Sequence, residues 1–274
     1  MPELPEVETV RSVIEPQIMG RRIVSIDVRQ SQIIAHPAAN ELIEKVCGRT
    51  FMGMGRRGKY LSFDLDHGNR LFLHLRMTGQ LIVAPPDFPV EKHTHLIMHL
   101  SDGNQLRYTD VRRFGRFWYI ERGESEAVVG IDRLGMEPMD EALDAHYLKA
   151  RLGSKKRPIK EMLHDQSVVT GIGNIYSDEI LYAAGIHPAR SCAALADDEW
   201  QKLALQIPKV IRWGIETNAI TPEDYLSGRG RDYRNSMLLK VYGRVDQPCP
   251  RCGERLRKMS ICGRTATFCP NCQR

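Results

Sequence analysis

Cys249-Pro-Arg-Cys-Gly-Glu-Arg-Leu-Arg-Lys-Met-Ser-Ile-Cys-Gly-Arg-Thr-Ala-Thr-Phe-Cys-Pro-Asn-Cys272 is the stretch whose spacing decides how the chain ends. Two C-x2-C pairs flank sixteen residues. Each pair can form a tight knuckle that aims two thiolates at one point, and two knuckles make a tetrahedral four-cysteine zinc site. Cys249, Cys252, Cys269 and Cys272 leave no open coordination position, so one structural Zn2+ per chain is expected, with no catalytic metal and no organic cofactor. Such a module is too small to fold without its metal. Between the knuckles, residues 256–260 and 265–268 read as two strands with Gly263-Arg264 at the turn, a pinned hairpin that carries an arginine at its tip. The chain has seven cysteines, an odd number that argues against a disulfide framework. Cys47, Cys192 and Cys262 read as ordinary thiols.

The same end is strongly basic. Residues 229–274 hold 11 Lys/Arg against 3 Asp/Glu, whereas the whole 274-residue chain is only +5. The body is therefore slightly acidic, interrupted by Arg56-Arg57-Gly58-Lys59, by Arg112-Arg113 with Arg116, and by Lys155-Lys156-Arg157 with Lys160. A single cluster of this kind can be a solvated face. Several of them together with a basic end describe a surface that tracks phosphates. No run approaches the ~18 apolar residues of a membrane span. Glu3, Glu6 and Glu8 precede the first basic residue, the reverse of a secretory signal, so a cytoplasmic protein is expected.

Upstream, Val7, Val10, Val13, Ile14 and Ile18 recur at helical spacing and predict a helix over 5–18. From Arg22 to about Glu121 the pattern changes to short alternating runs at 23–28, 60–65, 71–75, 96–100 and 117–120, which predict an antiparallel sandwich or barrel. A connector with Gly135 and Pro138 leads to helical patterns at 142–152, 156–164, 174–184 and 197–216. An Arg- and Gly-rich segment, 227–234, reads as mobile. The expected organisation is α+β and multidomain. An N-terminal helix and β-sandwich occupy 1–132, a linker 133–139, a helical domain with a covering loop 140–235, and the zinc hairpin 236–274.

Three further features invite chemistry. Gly171-Ile-Gly173-Asn174 precedes a helix whose free amides, with Lys156 and Lys160, could clamp a phosphate. His93, His95 and His99 would share one strand face and could bind a metal, but no further ligand is evident, and strand or loop histidines explain them better. Removal of Met1 would leave Pro2 with a secondary amine of pKa roughly 8, able to attack an electrophilic carbon, with Glu3 beside it to move protons. On these residues alone, a helix start rich in Pro and Glu is the simpler reading.

Their order changes that weighting. Met1-Pro-Glu-Leu-Pro-Glu-Val-Glu-Thr9 resembles the start of formamidopyrimidine-DNA glycosylases. So do Arg57-Gly-Lys-Tyr-Leu61, His74-Leu-Arg-Met77, Arg107-Tyr-Thr-Asp-Val-Arg-Arg-Phe-Gly115, Asp165-Gln166, Gly173-Asn-Ile-Tyr176 and Val241-Tyr-Gly-Arg244, followed by the four cysteines. The resemblance runs from Met1 to Arg274. It implies a bacterial base-excision repair enzyme that flips oxidised purines (8-oxoguanine, formamidopyrimidines) out of duplex DNA. Pro2 would expel the base through a Schiff base, and β,δ-elimination would then cut the strand. Glu3 would be the general acid/base, Glu6 a second acidic position, and Lys59 part of the catalytic set. Lys59, His74, Arg112, Lys156, Asn174, Tyr242 and Arg264 would contact phosphates, with Gly173 beside them, while Met77, Arg112 and Phe114 would fill the gap left by the extruded base. The helical part would be a helix–two-turns–helix module. The partner would be double-stranded DNA with oxidised bases or abasic sites, bound by a monomer without a membrane.

The sequence departs from many relatives at Asn218-Ala219, where Gly-Gly is frequent, at Thr78, where some carry Glu, and at Thr265-Ala266-Thr267 after the hairpin arginine. Lesion preference is what these put in question. The rivals are an endonuclease VIII-like enzyme for oxidised pyrimidines, whose usual Pro-Glu-Gly-Pro start is absent here, a non-catalytic zinc-finger DNA-binding protein, and a zinc hydrolase built on the three histidines.

Overall fold

The computed structural model describes residues 2–231 and 237–274. Met1 and residues 232–234 of the Arg- and Gly-rich segment lie outside the described residues. The chain divides into two compact units. The first holds Pro2, Glu6–Asp132 and residues 218–231, and the second holds Glu3–Pro5, Arg133–Thr217 and residues 237–274.

The first unit begins in helix α1 (Leu4–Ile18), which buries Val7, Val10, Val13, Ile14 and Ile18, the stripe that the periodicity predicts. Two sheets follow, with helix α2 (Ala39–Val46) between their early strands. One sheet has the order β1 (Ile23–Val28), β7 (Thr94–Leu100), β8 (Gln105–Asp110), β6 (Gly79–Ala84) and is antiparallel throughout. The other runs β2 (Ile34–His36), β9 (Arg116–Ile120), β5 (Arg70–His74), β4 (Tyr60–Leu65), β3 (Phe51–Arg57). It is antiparallel except that the short β2 joins β9 in parallel. Residues from both sheets and from α1 share one apolar core, including Leu61, Phe63, Leu73, Leu96, Met98 and Tyr108.

The strand β8 escapes a pattern search for a physical reason. Its Arg107 is 1% exposed and its Asp110 fully buried, so charges occupy core positions. Burial lowers the Arg107 pKa, yet its guanidinium is satisfied by the carbonyls of Pro85 and Phe88 and by Gln105. Gly53 and Gly55 obscure β3 for a different reason, since glycine is depleted in strands and carries no side chain to show the alternation.

The expected helical segment 140–235 is divided in the structure. Residues 218–231, with helix α7 (Pro222–Ser227), fold with the first unit. Tyr225 is buried in that core and donates its hydroxyl to the Leu81 carbonyl. Arg229 and Arg231 pair with Glu91.

The second unit packs α3 (Ala145–Leu152), α4 (Ile159–Leu163), α5 (Asn174–Ala184) and α6 (Asp197–Thr217) around Leu148, Leu163, Ile180, Trp200, Leu203, Ile207 and Ile211. Two helices start later than the pattern suggests. Asp144 caps α3 by accepting the Tyr147 amide, and Pro158 holds the entry of α4, which leaves Lys156 in an exposed connecting segment. The hairpin pairs β10 (Arg257–Ile261) with β11 (Arg264–Phe268). Its two-residue turn is Cys262-Gly263, both with positive φ. That is the twist-compatible hairpin geometry. Arg264 is thus the first strand residue, paired with Ile261, and not a turn residue. Among the described residues no helix is long and apolar enough to cross a membrane.

Candidate functional site

In the second unit, the carboxylate of Glu3 sits at the start of α5. It accepts the amides of Gly173 (2.8 Å), Ile175 (2.8 Å) and Tyr176 (3.2 Å) and is 2% exposed. These are donors that a helix start leaves without intrahelical partners, and a carboxylate there also complements the helix dipole. Gly173 is required by contact. A Cβ on it would lie 2.4 Å from Glu3 Cδ. The loop before α5 is held by Gln166, which accepts the Gly171 amide and donates to the His164 and Ile172 carbonyls, and the Leu4 amide donates to the Gly171 carbonyl.

This corrects the expected phosphate clamp. Three amides at the α5 start, including that of Gly173, serve Glu3. Lys160 is fully buried, forming an ion pair with Asp178 and donating to the Thr265 carbonyl at 3.0 Å. Burial pushes the Asp178 carboxyl up to about 6 and the Lys160 ammonium down, while each charge pulls the other back toward ionisation. Asp178 also accepts the Thr267 amide. The next residue, Glu179, accepts the amides of Lys240, Val241 and Tyr242 at 2.9–3.1 Å. Two adjacent acids on α5 thereby anchor both the hairpin and the segment bearing Tyr242. Asp178 and Glu179 were not legible as anchoring residues, because the amides they accept lie about 60–90 residues away in sequence. Lys156 and Arg264 are exposed, and Asn174 and Tyr242 are half-buried.

The four cysteine sulfurs converge within 4.8 Å of one another. Cys249 and Cys272 Sγ are 3.9 Å apart, and Cys252 and Cys269 Sγ are 3.5 Å apart. Tetrahedral zinc with Zn–S bonds of about 2.3 Å requires sulfur separations near 3.8 Å. Backbone amides of Arg251 and Cys272 point at Cys249 and Cys269 Sγ at 3.4 Å, so the donor set fits zinc. It is the only metal-competent group of three or more among the described residues. The histidine alternative dissolves: His95 Nε2 donates to the Asp110 carbonyl, and His99 faces Asp27 and Gln105.

In the first unit, Pro2 is buried, and Glu6 is buried with the Asn218 amide donating to it at 3.1 Å. Lys59 occupies the β3–β4 turn and is 8% exposed. His74 is equally buried. Its Nδ1 accepts the Arg76 amide at 3.0 Å, which leaves Nε2 as the protonated nitrogen. Burial, with the positive charges of Arg76 and Lys59, pushes its pKa down to about 3, so the ring is neutral at pH 7 and can only donate through Nε2–H. Met77, Arg112 and Phe114 are exposed on turns, and the Arg112 guanidinium stacks 4.6 Å from the Phe114 ring.

Comparison with known proteins accounts for this arrangement. Residues 1–117 match the formamidopyrimidine-DNA glycosylase N-terminal domain, 134–225 its H2TH domain, and 246–274 the zinc finger found in FPG and IleRS. Formamidopyrimidine-DNA glycosylase of Desulforamulus reducens is 42% identical over 100% of this chain and 99% of its own, and that of Bacillus subtilis 39% identical over the same shares. Among solved structures, Lactococcus lactis Fpg bound to abasic-site DNA superposes with TM-score 0.91 at 36% identity, covering 99% of both chains. The same protein with Fapy-dG DNA gives 0.90 at 35%, covering 99% of this chain and 100% of the other. Three domain matches in one order, joined to full-length similarity at these identities, show that the chain belongs to the formamidopyrimidine-DNA glycosylase family of enzymes.

Proposed function

We propose that this chain excises oxidised purines, 8-oxoguanine and formamidopyrimidines, from duplex DNA and cleaves the resulting abasic strand. The observation that carries the reading is Glu3. Its carboxylate is held by three helix-start amides one residue after the proline whose amine would react. With Met1 removed, the Pro2 nitrogen attacks C1′ of the damaged nucleotide. The C1′–base bond breaks and the base leaves with its electron pair and a proton. The C1′–O4′ bond of the sugar then opens, O4′ taking a proton, to give an iminium that makes the C2′ proton acidic, so that its loss expels the 3′-phosphate and a second elimination expels the 5′-phosphate. Glu3 moves the protons. General acid–base help of this kind contributes about 10²–10⁴-fold. Lys59, His74, Lys156, Asn174, Tyr242 and Arg264 hold phosphates around the flipped nucleotide, while Met77, Arg112 and Phe114 occupy the space it leaves. Flipping costs a few kcal/mol, and wedge insertion offsets part of it. One zinc per chain supports the hairpin, and the enzyme works as a monomer on chromosomal DNA in the bacterial cytoplasm.

Borohydride reduction traps the iminium. A covalent protein–DNA adduct on an 8-oxoguanine·C duplex, lost when the N-terminal amine is blocked by acetylation, is the expected result; no adduct from a chain confirmed to start at Pro2 removes the catalytic reading. A second reading, oxidised pyrimidines, has one observation behind it. Lactococcus lactis Fpg, 35% identical, is also found with oxidized-pyrimidine DNA. Leu4 and the Met77, Arg112 and Phe114 set favour purines, and faster excision of thymine glycol than of 8-oxoguanine would reverse that choice.

A further inference from the structure

Asp110, at the end of β8 in the first unit, is completely buried, and every polar atom it has is engaged. Its amide donates to the His93 carbonyl at 3.0 Å, and its own carbonyl accepts from Arg113 N and His95 Nε2. Oδ1 accepts the Thr78 hydroxyl and the Arg112 amide (3.1 Å). Oδ2 accepts the Tyr108 hydroxyl (3.0 Å) and the Gly115 amide (2.9 Å). The Thr78 hydroxyl also receives the Arg112 amide at 3.1 Å. One carboxylate therefore ties two exposed turns together. Residues 75–79 carry Met77, and residues 111–115 carry Arg112 and Phe114. Both turns bend sharply, with positive φ at Arg76 and Arg113. Their closeness to Tyr108 leaves no slack, since a Cβ on Gly115 would lie 1.7 Å from the Tyr108 hydroxyl.

We propose that Asp110 is the positioning residue that holds Met77 and the stacked Arg112–Phe114 pair as one preassembled wedge for opening damaged duplex. The duplex part of this statement rests on the function proposed above. The chemistry of the two oxygens makes the idea testable. Each serves one hydroxyl and one backbone N–H. A hydroxyl can turn to donate or accept, whereas an N–H can only donate. Asp110→Asn keeps the size of the side chain but must turn an NH2 toward one of the two N–H groups, taking the carboxylate acceptor from Gly115 or leaving Arg112 with the Thr78 hydroxyl alone, which loosens the second turn from the first.

The test uses the full-length enzyme and a duplex carrying an uncleavable tetrahydrofuran abasic analogue opposite 2-aminopurine, whose fluorescence reports what enters the stack. With Asp110→Asn, the fluorescence change on binding should be lost and 8-oxoguanine excision from duplex should fall about 100-fold, the scale of a roughly 1 Å misplacement. Binding to the same analogue in single-stranded DNA, where no orphan base needs a wedge, should be unchanged. Thr78→Val, which removes only the bridging hydroxyl, should give an intermediate loss and decides the matter should Asp110→Asn fail to fold. Wild-type fluorescence in both variants, or single-strand binding that falls in parallel with duplex binding, overturns the proposal. Failure to trap any adduct with the wild-type enzyme would reject the amine chemistry alone, because the fluorescence readout involves no bond breaking.

Discussion

Glu3 shows how a helix start fixes a carboxylate, the one proposed above to move protons. Its carboxylate receives the amides of Gly173, Ile175 and Tyr176, so its plane is set before any substrate arrives. Glu3→Gln offers an amide nitrogen where an N–H must be accepted. Excision should fall by about 10²-fold or more, with a smaller loss of adduct on a pre-formed abasic site, where no base has to leave. Single-turnover rates on the two substrates check this, and equal losses would argue for a purely structural Glu3. His74 makes a different statement, about stability. Its folded pKa of about 3 lies below its ordinary 6.5. The unfolded chain therefore binds a proton that the folded chain refuses as the pH drops. The contribution is fully present above pH 6.5 and is lost as pH falls toward 3, at about 1.4 kcal/mol per unit, or about 2 kcal/mol by pH 5. Urea unfolding of wild type and His74→Asn between pH 5 and 8 should show the variant flatter by that amount.

At the scale of elements, helix α5 is the organiser of the second unit. Its first turn holds Glu3, Asp178 holds Lys160 of α4 and Thr267 of the hairpin, and Glu179 holds the chain at 240–242. Lys160→Met strands the Asp178 carboxylate in the interior and should cost about 3–5 kcal/mol, whereas Lys160→Met with Asp178→Leu should recover much of it. A single variant as stable as wild type in urea would show that the pair contributes nothing. The hairpin is small for its task, with Val241, Leu256, Cys249, Cys269 and Tyr182 as its buried cluster. So few apolar groups do not offset the ordering of some thirty residues, which is why a metal belongs there.

For the molecule as a whole, the proposed zinc site and phosphate contacts make predictions about DNA affinity. Elemental analysis should return one zinc per chain and none in Cys252→Ser, and chelation should abolish specific duplex binding while the first unit, with its own core, keeps its sheet signal in circular dichroism. Zinc retained in the variant would refute the four-cysteine assignment. Affinity should fall linearly on a log–log plot against salt, and Lys156→Ala or Arg264→Ala should each reduce the slope by about one, evenly across sequences. An unchanged slope would place that side chain away from phosphate.

Some of this was determined by sequence alone. The cysteine knuckles, helix α1, α5 and the sandwich class were legible, because ligand spacing and side-chain periodicity are properties of neighbouring residues, while Pro2 and Glu3 stood out only through the resemblance of the ordered motifs to a known family. The tertiary structure alone decided the rest. It turned Lys160 from a surface cation into a buried ion pair, assigned the α5 amides to Glu3, moved Arg264 from the turn into the strand, placed residues 218–231 with the first unit, and tied two turns to Asp110. The Lys160 pair, the Glu3 carboxylate and Asp110 are buried charges with partners well separated along the chain. Burying such a group is costly unless it is paired, so the fold chooses the partner, and local pattern carries no record of that choice.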